Sequence, residues 1–432
     1  NESHWMFDSE RVIICFIWLM MSSNSAFSQN LNYYENIQPI IYENCVPCHQ
    51  PGQAGPFSLL AYDDITIRSK MIQYVVSQRY MPPWQADPTY RHYLNERVLT
   101  DLEIVLITEW ISEGMAEGNK TKERLPSKGL YHKTVPDVSL AMGESYDIPK
   151  TNRDDFRFFH LPMDIKELRY LRAIEFIPGN KRYVHHSRMM VDSTQKMSGI
   201  DGMSELDPKV YEFQKVALAD EFLYGWVPGS FPLFFPDGVG KRLEPHSDLI
   251  LNIHYAPNGR DQRDQSKINL YFTDKPVKRE VKTLILREND IINQPFYLPA
   301  NQISNFTMKS KVLENDISMI SVMPHMHFLG KYFESYAVTE NRDTIPLIRI
   351  PDWDFNWQTM YQFTHYLKIP EGSVIYAKAR YDNTINNPMN QFIPPKDIGY
   401  GWHTVSEMMN LICYYVDYKK RDERHYFRTE ID

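Results

Sequence analysis

Hydrophobic and polar positions follow two different rhythms along the chain. Up to about residue 117 the apolar residues recur at helical spacing, as Ile37, Ile40 and Ile41 do in NIQPIIYEN. The segment TDLEIVLITEWISEG, residues 100 to 114, reads as a helix with Leu102, Val105, Leu106 and Trp110 on one face. Thr100 and Glu103 form its capping box, and Gly114 is its stop. From about residue 131 the rhythm turns to short alternating runs broken by Pro, Gly, Asn and Asp. YLRAIEFIPGN, RYVHHSRMMVD, DLILNIHYAPNG, SVIYAKARYDNT and MMNLICYYVDY all predict strands that end in turns. No strand–helix–strand alternation is present, which favours antiparallel sandwiches over a doubly wound sheet.

These patterns divide the chain into a helical first part and a longer all-β part. The β part exceeds one sandwich of ~100 residues, so two are expected. The predicted organisation is a signal segment over 1–28, a helical domain over 33–117, a polar linker over 118–130, and β-sandwiches over 131–288 and 289–425. Arg11 followed by the apolar run VIICFIWLMM and the polar SSNSAFSQ matches an export signal, too short to span a bilayer. The expectation is therefore an exported protein, periplasmic or extracellular, with no membrane span once mature. A net charge of −8 offers no basic surface for nucleic acid. With four cysteines in 432 residues, stability rests on packed cores and cofactors rather than a disulfide framework.

The helical part contains ENCVPCHQPG. Cys45-Val46-Pro47-Cys48-His49 is the attachment pattern of c-type haem: two thiols at this spacing add to the two vinyl groups, and the histidine ligates iron. A thioredoxin-like site would follow a hydrophobic strand rather than a helical pattern, and a zinc site would need a second ligand pair. In YMPPW, Met81 is the candidate sixth ligand, its loop stiffened by Pro82 and Pro83; a core methionine in an ordinary turn is the alternative. Residues 33–117 resemble a small all-α cytochrome c with Met81 in the distal position.

Five of the fourteen histidines fall in predicted strands. His325 and His327 in MPHMHFLGK stand two apart, so both project from one strand face toward a common ion. His254 lies on the face opposite Leu249, Leu251 and Ile253. His185 and His186 are adjacent, so they can share a metal only at a strand end or a bulge.

HHSRMMV, GWVPG, LNIHYAPNG, HMHFLGK, YDNT and SEMMNL occur in that order. The series resembles the copper type II, ascorbate-dependent monooxygenases, the family of peptidylglycine α-hydroxylating monooxygenase and dopamine β-monooxygenase, over roughly residues 135–420. The resemblance implies two jelly-roll-like sandwiches with one copper on each. It implies a first copper on His185, His186 and His254, which stores and delivers an electron. It implies a second on His325, His327 and Met408, where O2 reacts, with Met409 the neighbour that could be confused with Met408. A thioether favours Cu(I). The reaction implied inserts one oxygen atom into a C–H bond of a small organic substrate, with two electrons and release of water.

Ascorbate, an external donor or the attached haem would supply those electrons. A non-catalytic haem and copper electron-transfer or copper-binding protein is the alternative. Two departures stand out. Members braced by disulfides have no counterpart here, where the copper region holds only Cys413. The arginine and tyrosine with which peptide-amidating members grip a carboxylate are replaced by Met323 and Ile412, an apolar pair that argues against peptidylglycine. Asn410 matches the peptide-amidating pattern.

Overall fold

The computed structural model describes residues 31–94, 96–122, 135–214 and 222–427. The predicted signal segment, with its export reading, and most of the predicted linker lie outside the described residues. No helix among the described residues is long and apolar enough to cross a membrane.

Two compact units are present, and they do not follow the sequence in one cut. Among the described residues the first comprises 31–46, 58–82 and 99–122; the second comprises 47–57, 83–94, 96–98, 135–214 and 222–427. The expected contiguous helical domain over 33–117 is therefore interrupted twice. Segment 83–98 leaves it because Ala86 and Tyr93 bury their side chains in the core of the second sandwich.

The described elements of the first unit are helical: Tyr33–Ile37, Gln38–Asn44, Tyr62–Thr66, Ser69–Ser77, Asp101–Ser112 and Lys120–Lys122. Asn32 caps the first by accepting the Glu35 N–H (3.0 Å). Thr100 and Glu103 cap the longest reciprocally, and Gly114 ends it at φ +95°. The buried face of that helix is carried by Ile107 and Trp110, whereas Leu102 and Val105 are exposed. The expected face was thus rotated, because Trp110 points to Tyr33 and Tyr62 and fixes the inward direction.

The second unit holds two β-sandwiches. The first packs a six-stranded sheet, centred on Lys267–Phe272, Arg169–Ile177 and Val239–Leu243, against a five-stranded one. The latter runs Met203–Ser204, Asp155–Leu161, Asp248–Tyr255, Val184–Asp192, Phe222–Trp226. The second sandwich pairs the sheet Lys282–Leu286, Met409–Asp417, Ile317–Met326, Tyr361–Ile369 with the sheet Ile303–Lys309, Val374–Asp382, Gly330–Val338, Thr344–Ile350. Lys282–Leu286 pairs with Met409–Asp417, so the second sandwich begins ahead of residue 289.

Every residue of Ile317–Met326 is buried. Its sheet has an apolar environment on both faces, which removes the alternation a half-exposed strand would show. Met319 and Val322 face the second core, while Ile320, Tyr414 and Val416 pack with the first. The Tyr414 hydroxyl donates to the Phe222 carbonyl (2.7 Å) across this contact. Gly225 permits the close approach, since a Cβ there would sit 2.9 Å from the Met323 methyl. The histidine-bearing strands therefore meet where two sandwiches are packed together.

Candidate metal centres

His186 and His254 are direct cross-strand partners on Val184–Asp192 and Asp248–Tyr255. The next pair is Tyr255 with Val184, so the register slips and His185 is the extra residue of a bulge. That slip lets adjacent histidines reach one point. The imidazole nitrogens of His185, His186 and His254 gather with ligand atoms within 4.8 Å of one another.

Hydrogen bonds select which nitrogens converge. His254 Nε2 donates to Asp154 Oδ1 (2.7 Å), which leaves Nδ1 as the lone-pair atom, 3.2 Å from His186 Nδ1. His185 Nδ1 is buried without a partner. Phe156 stacks on His254 with ring centroids 4.2 Å apart. Burial and the neighbouring imidazoles hold His186 well below the ordinary imidazole value and push His185 down to about 4. Neutral imidazoles with facing lone pairs are the protonation state that a metal requires.

A second cluster forms on the other sandwich. His325 ends the strand Ile317–Met326, and His327 follows it, with ring centroids 5.1 Å apart. His325 Nδ1 is hydrogen-bonded to Gln358 Oε1, and its Nε2 is buried with no partner. His327 Nδ1 donates to the Ser406 carbonyl (2.9 Å). Both rings are thereby set to bind through Nε2. Burial lowers both, His327 to about 3 and His325 well below its ordinary value.

Glu407 ties this turn to the methionine strand. Its carboxylate accepts the N–H groups of His327 (3.0 Å), Leu329 (2.6 Å) and Met408 (3.3 Å). Burial pushes it up to about 8, against the pull of those three donors. The Tyr381 hydroxyl holds the Met408 carbonyl (2.8 Å), and Asn410 Nδ2 lies 3.5 Å from Met408 Sδ.

Met408 and His325 line the same cleft, together with Phe158, Arg188, Phe222, Met323, Trp402 and Asn410. Met409, by contrast, is paired with Met326 and packed into the second core. The cleft wall thus offers the His325 imidazole and the Met408 thioether, with the His327 ring 5.1 Å from that of His325, a donor set that suits copper and has little to offer zinc. Phe355, 3% exposed, stands between the clusters, its ring 5.7 Å from His186 and 6.1 Å from His327.

Of the predicted haem residues, Cys45 and Met81 belong to the first unit, Cys48 and His49 to the second. His49 Nδ1 donates to the Phe57 carbonyl (3.2 Å), which places the ring's lone pair on Nε2. Cys48 Sγ lies 3.7 Å from Arg97 Nη1, and Arg97 Nη2 donates to the Gly229 carbonyl (2.5 Å). Met81 is 41% exposed on the turn after Ser69–Ser77.

Several residues central to these sites escaped the sequence reading. Gln358 and Phe355 sit on an irregular loop with no periodic signal, and Asp154 looks like any turn aspartate. Glu407 stands inside SEMM without a role assigned to it. Arg188 reads as the polar half of a strand alternation, although it follows the histidine doublet at the spacing that shares a face with His186.

Residues 295–425 match the family model for the copper type II ascorbate-dependent monooxygenases, C-terminal domain. The match contains His325, His327 and Met408, and supports copper-dependent monooxygenase character and a β architecture for the second sandwich. No curated protein matches the chain. Among solved structures, the VP2 subviral particle of infectious bursal disease virus covers 66% of this chain and 74% of its own, at 8% identity and a TM-score of 0.18. An allantoicase covers 55% of this chain and 81% of its own, at 6% identity and a TM-score of 0.15. Bacillus subtilis oxalate decarboxylase covers 69% and 80%, at 7% identity and a TM-score of 0.12. Likenesses this slight support no argument about fold or chemistry.

Proposed function

We propose that the chain is an exported copper-dependent monooxygenase that hydroxylates a C–H bond of a small organic molecule with O2. Its electrons come through a c-type haem on Cys45, Cys48 and His49, with ascorbate or another external donor behind it. The observation that carries the reading is the presence of two buried imidazole clusters with unlike donor sets. One is all nitrogen (His185, His186, His254); the other adds the Met408 sulfur beside a cleft. The match of residues 295–425 supports the second half of the reading.

Copper would be held by Nδ1 of His185, His186 and His254, and by Nε2 of His325 and His327 with Sδ of Met408. When bound, it supplies the one-electron redox chemistry and O2 activation that no side chain provides. The protein's own residues do the rest. Asp154, Gln358 and the Ser406 carbonyl take the ring protons, so that the lone pairs face inward. Glu407 fixes the histidine turn and Met408 to each other through three N–H groups. Phe355 fills the space between clusters and keeps water from it.

The haem part of the proposal is supported by CVPCH and by a bonded line of residues within the second unit. Cys48 abuts Arg97 and Gly229; a Cβ on Gly229 would sit 2.9 Å from Cys48 Sγ. The adjacent Ser230 hydroxyl lies 3.2 Å from Thr359 Oγ1, and the next residue, Gln358, bonds His325. With haem attached at Cys48, it is these residues, Arg97, Gly229, Ser230, Thr359 and Gln358, that would link its edge to His325 by covalent and hydrogen bonds.

Metal analysis of the purified chain, paired with O2 uptake and product detection, tests the proposal. Two coppers and one haem iron per chain, with uptake coupled to a hydroxylated product, are expected. Copper and haem without product would instead favour an electron-transfer protein. Mixing the reduced haem with oxidised copper in stopped flow tests the electron route: no haem reoxidation on the turnover timescale contradicts it.

A further inference from the structure

The cleft beside Met408 contains one cation in a mostly apolar lining. Arg188 enters from the first sandwich, while Phe158, Met190, Phe222, Met323, Trp402 and Ile412 form most of the wall. Arg188 Nε (3.1 Å) and Nη2 (2.9 Å) both donate to a single neutral acceptor, Asn252 Oδ1. Among the described residues the acidic group acting on it is Glu205. Glu205 accepts the Thr404 hydroxyl (2.8 Å), and burial moves it toward its neutral form. The guanidinium is thus paired with no committed carboxylate, although desolvating a cation is costly without one.

A second observation points into the same space. Asn410 is 6% exposed and lines the cleft, yet its Oδ1 has no hydrogen-bond partner. A buried acceptor left open costs the full desolvation of that group. A guest bearing an anion would satisfy Arg188, and one that also carries an N–H or O–H would satisfy Asn410 Oδ1 as well.

We propose that this cleft binds a small organic carboxylate with an apolar body, its carboxylate paired to Arg188 and its apolar carbons held toward His325 and Met408. The inference rests on the monooxygenase reading and adds the class of substrate to it. It also revises the expectation drawn from Met323 and Ile412: those positions are apolar, but the cation is supplied by the facing sandwich. Arg188 suits this task because its planar fork can present N–H groups to Asn252 and to a carboxylate together.

The test uses the metal-free full chain titrated with hexanoate, hexanol and hexylamine, read by calorimetry and by Trp402 fluorescence. Hexanoate is expected to bind about tenfold or more tightly than either of the others. Arg188→Met should abolish that preference and Arg188→Lys should keep part of it, with melting curves confirming that both variants fold. Equal binding of hexanol, tighter binding of hexylamine, or an undiminished hexanoate preference in Arg188→Met overturns the proposal. The three-probe comparison on the unmodified chain decides the matter even if a variant fails to fold. Copper content of the same protein separates the two levels of inference. A carboxylate-selective chain that binds no copper would overturn the oxygenase reading alone. A copper-loaded chain indifferent to charge would overturn the anion site alone.

Discussion

The two histidine clusters differ in how they are built, and under the proposed function that difference gives them different work. The first gathers three imidazoles around a bulge, flanked by Phe156 and braced by Asp154. Its group is three histidines with no cysteine among the described residues, and none of the three lines the Met408 cleft. The second gathers two imidazoles at a strand end, adds the Met408 thioether, and faces a cleft with Arg188 in its wall. Nitrogen alone tolerates both copper states, whereas sulfur biases a site toward Cu(I). The closed cluster is thus suited to holding an electron and the cleft-side cluster to the reaction. Phe355 packs edge-on against both His186 and His327, with ring centroids 5.7 and 6.1 Å away.

The largest expected effect comes from removing a ligand on the cleft side. His325→Ala or Met408→Ala should end product formation outright while the all-imidazole cluster keeps its copper, as metal analysis and product assays will register. Removing a ligand on the other side should fail differently. His254→Ala is expected to lose the first copper and stop repeated turnover, yet leave the cleft-side sulfur coordination intact by X-ray absorption. If both variants lose both metals, the division of labour is wrong.

A smaller effect is expected from the residues that orient the rings. Gln358→Leu should weaken cleft-side copper binding by about 10–100-fold. Asp154→Asn should cost the first cluster less, because Asp154 is 39% exposed and water can replace it. Competition with a chelator measures both affinities, and the reverse order would contradict the assignment of the two supports.

The smallest effect concerns the contact between the sandwiches. Asp422, 3% exposed, accepts Arg279 Nη1, the Ser318 hydroxyl (2.6 Å) and the Lys419 N–H (2.9 Å). Burial alone would raise its pKa, but these donors hold it below the ordinary carboxylate value. A depressed carboxyl contributes stability that is fully present above the unfolded pKa of about 4 and is lost as pH falls through the folded value. The unfolding midpoint should therefore drop below about pH 4, and less steeply in Asp422→Asn. In Arg279→Ala the stranded carboxylate should cost about 3 kcal/mol, measured by denaturant unfolding.

Much of this was legible because strands announce their faces. Leu249, Leu251 and Ile253 mark the core side of Asp248–Tyr255, so the opposite orientation of His254 could be read from residue order. The doublet demanded a strand end or a bulge on physical grounds, and the register slip opposite His185 is a bulge. What alternation could not reveal was the partner of the outward face. His254 is 0% exposed because Phe156 stacks on it and Phe355 of the second sandwich stands 6.1 Å away, and those contacts depend on pairings distant in sequence. The same blindness hid Arg188, which the strand pattern gave no reason to single out, and Phe355 and Gln358, whose loop has no period. It also hid the departure of 47–57 and 83–98 from the helical unit, since Tyr93 finds its aromatic partners at Tyr361 and Phe363.

The central claim is that the Met408 sulfur completes the cleft-side site. X-ray absorption of the Cu(I)-loaded protein measures it most directly. One sulfur shared over two coppers is expected in the unmodified chain and in Met409→Ala, with none in Met408→Ala. A sulfur signal that survives Met408→Ala, or vanishes in Met409→Ala, would contradict the account.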